Sequence, residues 1–188
     1  MRPTTSVVIG VSFLAMVIAG CAMVQTQPTG PNAPKVELER VEVASYFPYA
    51  PPPARVPLIL AFVFNVVNPS DVNVALEEMK FAVSFEAKGT YFGLSNPTVY
   101  ETMWIPGRTT NQLRVVVVLD SAIVPATLAV RSGIQVAAIG MKPPDIVKAW
   151  WEQIGDFAFG IQVSEGVAMF SIPQGSALVA FEGAFPRK

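Results

Sequence analysis

From Lys35 onward, hydrophobic and polar residues alternate with a period of two along most of the chain. Met79, Phe81, Val83 and Phe85 interleave with Lys80, Ala82, Ser84 and Glu86. Successive side chains of a strand point to opposite faces, so this run predicts a strand with one buried face. Val72, Val74 and Leu76 predict the same immediately before it. Leu113, Val115, Val117 and Leu119 form another row, opposite Arg114 and Asp120. Val56 to Val67 (VPLILAFVFNVV) is apolar on both parities, which suits a central strand covered at least in part on both sides. Lys35 to Ser45 changes phase midway: Val36 and Leu38 lie on one parity, Val41 and Val43 on the other. One extra residue near Glu39–Arg40 realigns them, and a β-bulge supplies such a residue.

Turn signals separate these runs: Asn68-Pro69-Ser70-Asp71, Lys88-Gly89, Pro106-Gly107, Glu165-Gly166 and Pro173-Gln174-Gly175. Short strands with this punctuation predict an all-β fold, a β-sandwich. One stretch departs from the period. After Pro143-Pro144-Asp145 come Ile146, Val147, Trp150 and Ile154, then Gly155. That spacing predicts one short amphipathic helix near residues 144–154, with proline and an acid at its start and glycine past its end. Trp151 falls partly off the apolar stripe. The composition of Ala122 to Gly140 allows helix or strand, and Gly133 weakens both readings.

Composition narrows the class. Hydrophobic residues make up 52% of the 188 and charged ones 14%, too apolar for a disordered chain. A net charge of −1 gives no basic footprint for nucleic acid. One cysteine cannot form an internal disulfide, so stability must come from a core.

That cysteine follows a run of thirteen apolar or small residues, Val7 to Ala19. A spanning helix needs about 20, so the run is too short for a stable anchor and fits a secretory signal. Ile18-Ala19-Gly20-Cys21 resembles the lipobox of bacterial lipoproteins. The resemblance implies that residues 1–20 are removed and that Cys21 is lipidated, giving a membrane anchor. Small Ala19 and Gly20 let a peptidase approach, and a thiolate is nucleophilic enough for the lipid transfer. The mature chain would lose Arg2, leaving 12 basic residues against 14 acidic ones. Ala22, where an aspartate would retain the protein at the inner membrane, points by the same resemblance to the outer membrane, facing the periplasm, in a two-membraned organism. Residues 21–34, with the polar stretch QTQPTGPNAP at Gln25 to Pro34, read as a lipidated tether. Residues 35–188 form the domain.

Phe64 to Gly89 (FNVVNPSDVNVALEEMKFAVSFEAKG) resembles the late-embryogenesis-abundant type 2 family, also called the water-stress and hypersensitive-response domain. In that pattern a hydrophobic strand ends in Asn-Pro, here Asn68-Pro69, and an alternating strand ends in glycine. Trp104 to Asp120 (WIPGRTTNQLRVVVVLD) resembles the turn leading into the family's long valine-rich strand. Phe157 to Gly183 resembles its closing strands. The resemblance implies an immunoglobulin- or fibronectin-III-like sandwich, a role in desiccation or stress tolerance, and no catalytic residues to carry over. Asn68-Pro69 also has a local reading: asparagine favours turns, and proline fixes φ while ending the ladder.

The chemistry available is sparse. Without histidine there is no Ser-His-Asp relay, no Cys-His pair and no histidine metal site. No Walker loop or dinucleotide fingerprint is present. Neither a cofactor nor a metal is expected, and Glu77-Glu78 read as solvated strand charges. Asp145, Glu152 and Asp156 flank the predicted helix as surface charges. Trp150 and Trp151 read as core residues docking the helix over an open sandwich end. The rival is a partner- or ligand-binding patch made by the pair. Tyr46, Phe47 and Tyr49, before Pro51-Pro52-Pro53, read as a loop covering a sandwich end; the rival is an extended proline segment offered to a partner. Three functions follow. The leading one is a non-enzymatic envelope lipoprotein that binds or protects a protein partner. The second is a carrier of a small apolar ligand or lipid. The third is an enzyme using clustered acidic residues.

Overall fold

The computed structural model describes residues 32–173 and 175–186. Cys21 and the lipobox lie outside the described residues. Among the described residues, nine strands form two antiparallel sheets. The first holds β1 (Lys35–Ser45), β2 (Pro57–Asn68) and β7 (Thr109–Asp120), with β2 in the centre. The second runs β4 (Thr90–Ser95), β3 (Val74–Ala87), β8 (Ile161–Ile172), β9 (Gly175–Phe185). Two short strands, β5 (Thr98–Val99) and β6 (Met103–Ile105), also pair with β3. They continue the edge that β4 begins, since β8 occupies the other side. The fold is an all-β sandwich.

The alternation places the core. Leu58, Leu60, Phe62, Phe64 and Val66 of β2 face inward with Met79, Phe81, Val83 and Phe85 of β3. Rings interlock across the layers: Phe64 lies 5.1 Å from Phe81 and 5.6 Å from Phe181, both edge-on. Such contacts add to burial because the positive ring edge meets the negative face. On the outer parity of β2, Ala61 and Val63 are also buried, as two-sided apolarity predicts.

The phase change in β1 is a bulge, with register shifting between Leu38 and Arg40. Another shift, between Leu76 and Glu78, moves the buried set of β3 from even to odd positions. Val72 departs from its expected role: it precedes the strand and is exposed, while its carbonyl serves a turn described below. The outer face of the first sheet is polar at one end. Arg40 bridges Glu39 and Glu42 at 2.9 and 2.7 Å, and Arg114 of β7 reaches Glu42 at 3.4 Å.

The helical content exceeds the single predicted helix. The stretch left open forms α1 (Val124–Ala138), kinked where Ser132 leaves helical φ/ψ. The predicted helix is α2 (Pro143–Gln153), followed by a 3₁₀ turn, Ile154–Asp156. Gly155 does not terminate it. The left-handed position falls on Phe157, at φ 46°, whose N–H donates to the Ile154 carbonyl. The proline-rich loop covers less than expected. Tyr49 packs partly on the core, but Tyr46 and Phe47 are exposed because the chain leaves β1 on the solvent side.

Asp120 fastens the turn from β7 into α1. Its Oδ2 accepts Arg55 Nε at 2.8 Å and Nη2 at 2.6 Å, and its Oδ1 accepts the Ala122 N–H at 2.8 Å. Arg55 first, then that amide, hold the carboxyl below its ordinary value of 3.8. A carboxyl lowered on folding contributes stability that is complete above its unfolded pKa and lost as pH falls through the folded one. Wild type and Asp120→Asn should therefore differ in urea midpoint near neutrality and converge as pH falls below about 4. A difference that persists at low pH would show that the carboxylate charge is not what stabilises the turn.

Candidate functional site

At the end of the sandwich where β3 stops, β4 and β8 begin and β9 finishes, a groove of about 820 Å³ opens to solvent. Its walls are mainly rings: Tyr91 from β4, Phe157 and Phe159 from the segment before β8, and Phe185 from β9. Ligand sites are commonly apolar concavities of about 300–1,000 Å³ with few polar groups. Here the carboxylate lining the groove is Glu86.

Local backbone chemistry places each wall. Lys88 and Gly89 both take positive φ, 48° and 78°, and join Ala87 to Thr90 as a two-residue hairpin turn. Two positive φ values match the twist of the flanking strands. Glu86 Oε1 accepts the Gly89 N–H at 2.5 Å, and Oε2 accepts Gly160 N–H at 3.5 Å. The carboxylate thus ties the hairpin to the entry of β8. Left-handed Phe157 sets its ring edge-on against Phe185 at 4.8 Å. Phe159 turns inward onto Phe85 at 5.2 Å. The Tyr91 hydroxyl lies over Gly160, where a β-carbon would overlap it.

Trp150 and Trp151 of α2 are both buried, and Trp150 packs next to this groove through Phe85 and Phe159. Trp150 packs edge-on against Phe85 at 5.4 Å and donates Nε1–H to the Glu86 carbonyl at 2.8 Å. Trp151 is wholly buried and donates to the Val56 carbonyl at 3.2 Å. The pair therefore docks α2 over the sandwich end and forms no surface patch. One edge of Trp150 lines a smaller hollow of about 280 Å³, with Lys88, Met141 and Ile146. The rings of the larger groove were not singled out by sequence reasoning. They come from three separate segments, and the available signal was Phe157-Ala-Phe159-Gly160, two rings beside a glycine.

Among the described residues no group of three or more Cys, Asp or Glu side chains is placed to hold a metal ion. Glu77 is the extra residue of the bulge in β3 and Glu78 follows it, and Asp145, Glu152 and Asp156 sit on or just after α2.

Gly160→Ala tests the groove. The clash falls on the far end of a half-exposed tyrosine, so the cost in stability is expected to stay below about 1 kcal/mol. Tyr91 should swing outward, and binding of an apolar dye such as 1-anilinonaphthalene-8-sulfonate should fall several-fold. Unchanged dye binding would show that the groove does not take apolar ligands.

No family model and no curated protein matches the chain. Solved structures do resemble it. A protein from Archaeoglobus fulgidus aligns at 12% identity over 81% of this chain and 98% of its own, with a TM-score of 0.40. A protein from Arabidopsis thaliana aligns at 8% identity over 80% and 79%, with a TM-score of 0.47. A candidate late-embryogenesis-abundant protein aligns at 14% identity over 81% and 70%, with a TM-score of 0.42.

Proposed function

We propose that the chain is a non-enzymatic lipoprotein of the cell envelope, anchored through Cys21, whose sandwich domain binds an apolar element of a protein partner in the aromatic groove. The groove itself carries the binding reading: about 820 Å³ walled by Tyr91, Phe157, Phe159 and Phe185. Glu86, the acid lining it, already accepts hydrogen bonds from Gly89 and Gly160, which favours a structural role over acid–base work. The lipobox supports the anchor, and the late-embryogenesis-abundant resemblance adds protection under water stress.

Affinity capture of the acylated protein from envelopes is expected to recover one stoichiometric protein, and Gly160→Ala to lose it. Recovery of neither protein nor lipid would defeat the binding reading. Copurifying lipid would favour the second reading, a carrier of a small apolar ligand, for which the groove's volume is adequate. Cys21→Ser is expected to abolish acyl labelling and release the chain from the membrane fraction. Retention of label in that variant would refute the anchor.

A further inference from the structure

Helix α1 presents an aliphatic face that no described residue covers. Val130 is 86% exposed and Ile134 90%, with Ile123, just before the helix, also exposed. The opposite side packs through Val124, Leu128 and Val136. Although the helix bends at Ser132, both halves put an aliphatic side chain outward. It carries no acid and one cation, Arg131. Isolated exposed apolar residues are ordinary, whereas a row on one helix marks a contact surface.

We infer that this face of α1 lies on the lipid surface to which Cys21 tethers the chain. The inference rests on the anchor proposed above. Three observations select lipid as the occupant. First, the 14 steps from Cys21 to Lys35 span at most about 50 Å, which keeps the domain beside the bilayer. A contact too weak alone becomes effective once tethering makes it intramolecular. Second, α1 brings no acid and a single cation, Arg131, so it has little charge to desolvate at a lipid surface. At 15 residues it is about 22 Å long and too short to span. The 92° bend between it and α2 prevents the two from forming one continuous span. Third, exposed Tyr100 and Trp104 sit beside β5 and on β6, the edge of β3 that β4 shares, and α1 packs against β4. Tyrosine and tryptophan favour the headgroup level, one end apolar and the other wet. The other exposed aliphatic pair, Val116 and Val118, alternates on β7 between Arg114 and Asp120 on the same face. A lipid surface would have to desolvate those charges.

The test uses the full acylated chain in vesicles of phosphatidylethanolamine with a minor share of phosphatidylglycerol. A nitroxide is attached through Val130→Cys or, as control, Glu182→Cys on β9 at the far edge of the sheet. Both sites are exposed, so neither change disturbs packing. The ratio of oxygen to nickel-chelate accessibility is expected to be several-fold higher at 130 than at 182. Chains that float with vesicles yet give equal, water-like ratios at both sites would overturn the docking alone. Chains that do not float would overturn docking and anchor together. A label at 130 shielded from both reagents would mean that protein covers the helix, and would also overturn the proposal.

Discussion

Trp151→Ala is expected to lower the unfolding free energy by about 4 kcal/mol, the largest loss of any single change considered for this domain. The indole is wholly buried, and truncation leaves a cavity that a helix pinned on both sides cannot close. It also joins three elements. Its Nε1–H reaches the Val56 carbonyl before β2, the Val56 N–H donates to Ser121 Oγ after β7, and the Ser121 N–H returns to the Val56 carbonyl. Trp151→Phe keeps most of the apolar volume and should cost less than half as much, because Ser121 still donates to that carbonyl. For a domain of this size, the alanine variant should melt on the order of 10 °C lower. Urea titration followed by far-ultraviolet dichroism measures both. A loss under about 1 kcal/mol would mean that α2 frays independently of the sheets.

Asn68→Ala is expected to cost about 3 kcal/mol, through polar groups rather than volume. Asn68 is 1% exposed at the end of β2. Its Nδ2 donates to the carbonyls of Val72 at 2.8 Å and of Ile105 and Pro106 at 3.1 Å. Its Oδ1 accepts the Ser70 N–H at 3.1 Å and the Ser70 hydroxyl at 2.7 Å. One amide therefore clamps the β2–β3 turn to the chain entering β7. Gly107 belongs to the same clamp, since any β-carbon there would press on the Asp71 backbone at 2.5 Å. Alanine would strand the Ile105 carbonyl without that donor in a buried site. Asn68→Asp should be at least as damaging near neutrality, because a carboxylate would face three carbonyl oxygens. Protonation at low pH should recover part of that loss. An aspartate variant as stable as wild type would show that the Nδ2 bonds contribute nothing.

Asn68 also marks how far sequence reasoning reached. Asn-Pro identified a turn, because proline ends a ladder and holds its neighbour extended. The clamp was not legible, since two of its partners lie 37 and 38 residues away. The groove shows the same limit. Lys88-Gly89 was readable as a turn, but the meeting of Phe157 with Phe185 required β8 and β9 to pair first.

The sequence by itself determined β1 with its bulge, β2, most of β3, β7 and α2, because a period of two or a helical stripe is a local property that side-chain direction imposes. β4, β5 and β6 carried no such period, and β8 and β9 were reached only through the family resemblance. It also supplied the lipobox argument for Cys21. Only the tertiary structure decided the state of Ala122 to Gly140, the partner that Trp151 reaches at Val56, and the aromatic groove. α1 has no side-chain N-cap, no acid in its first turn and no basic residue in its last. Pro125 near its start and Gly140 past its end, at φ 68°, suit a helix, but Gly133 inside the stretch weakened that reading. Packing against β4 and α2 selected helix there. Contacts between distant segments carry no sequence period, and they exist only after the chain has closed on itself.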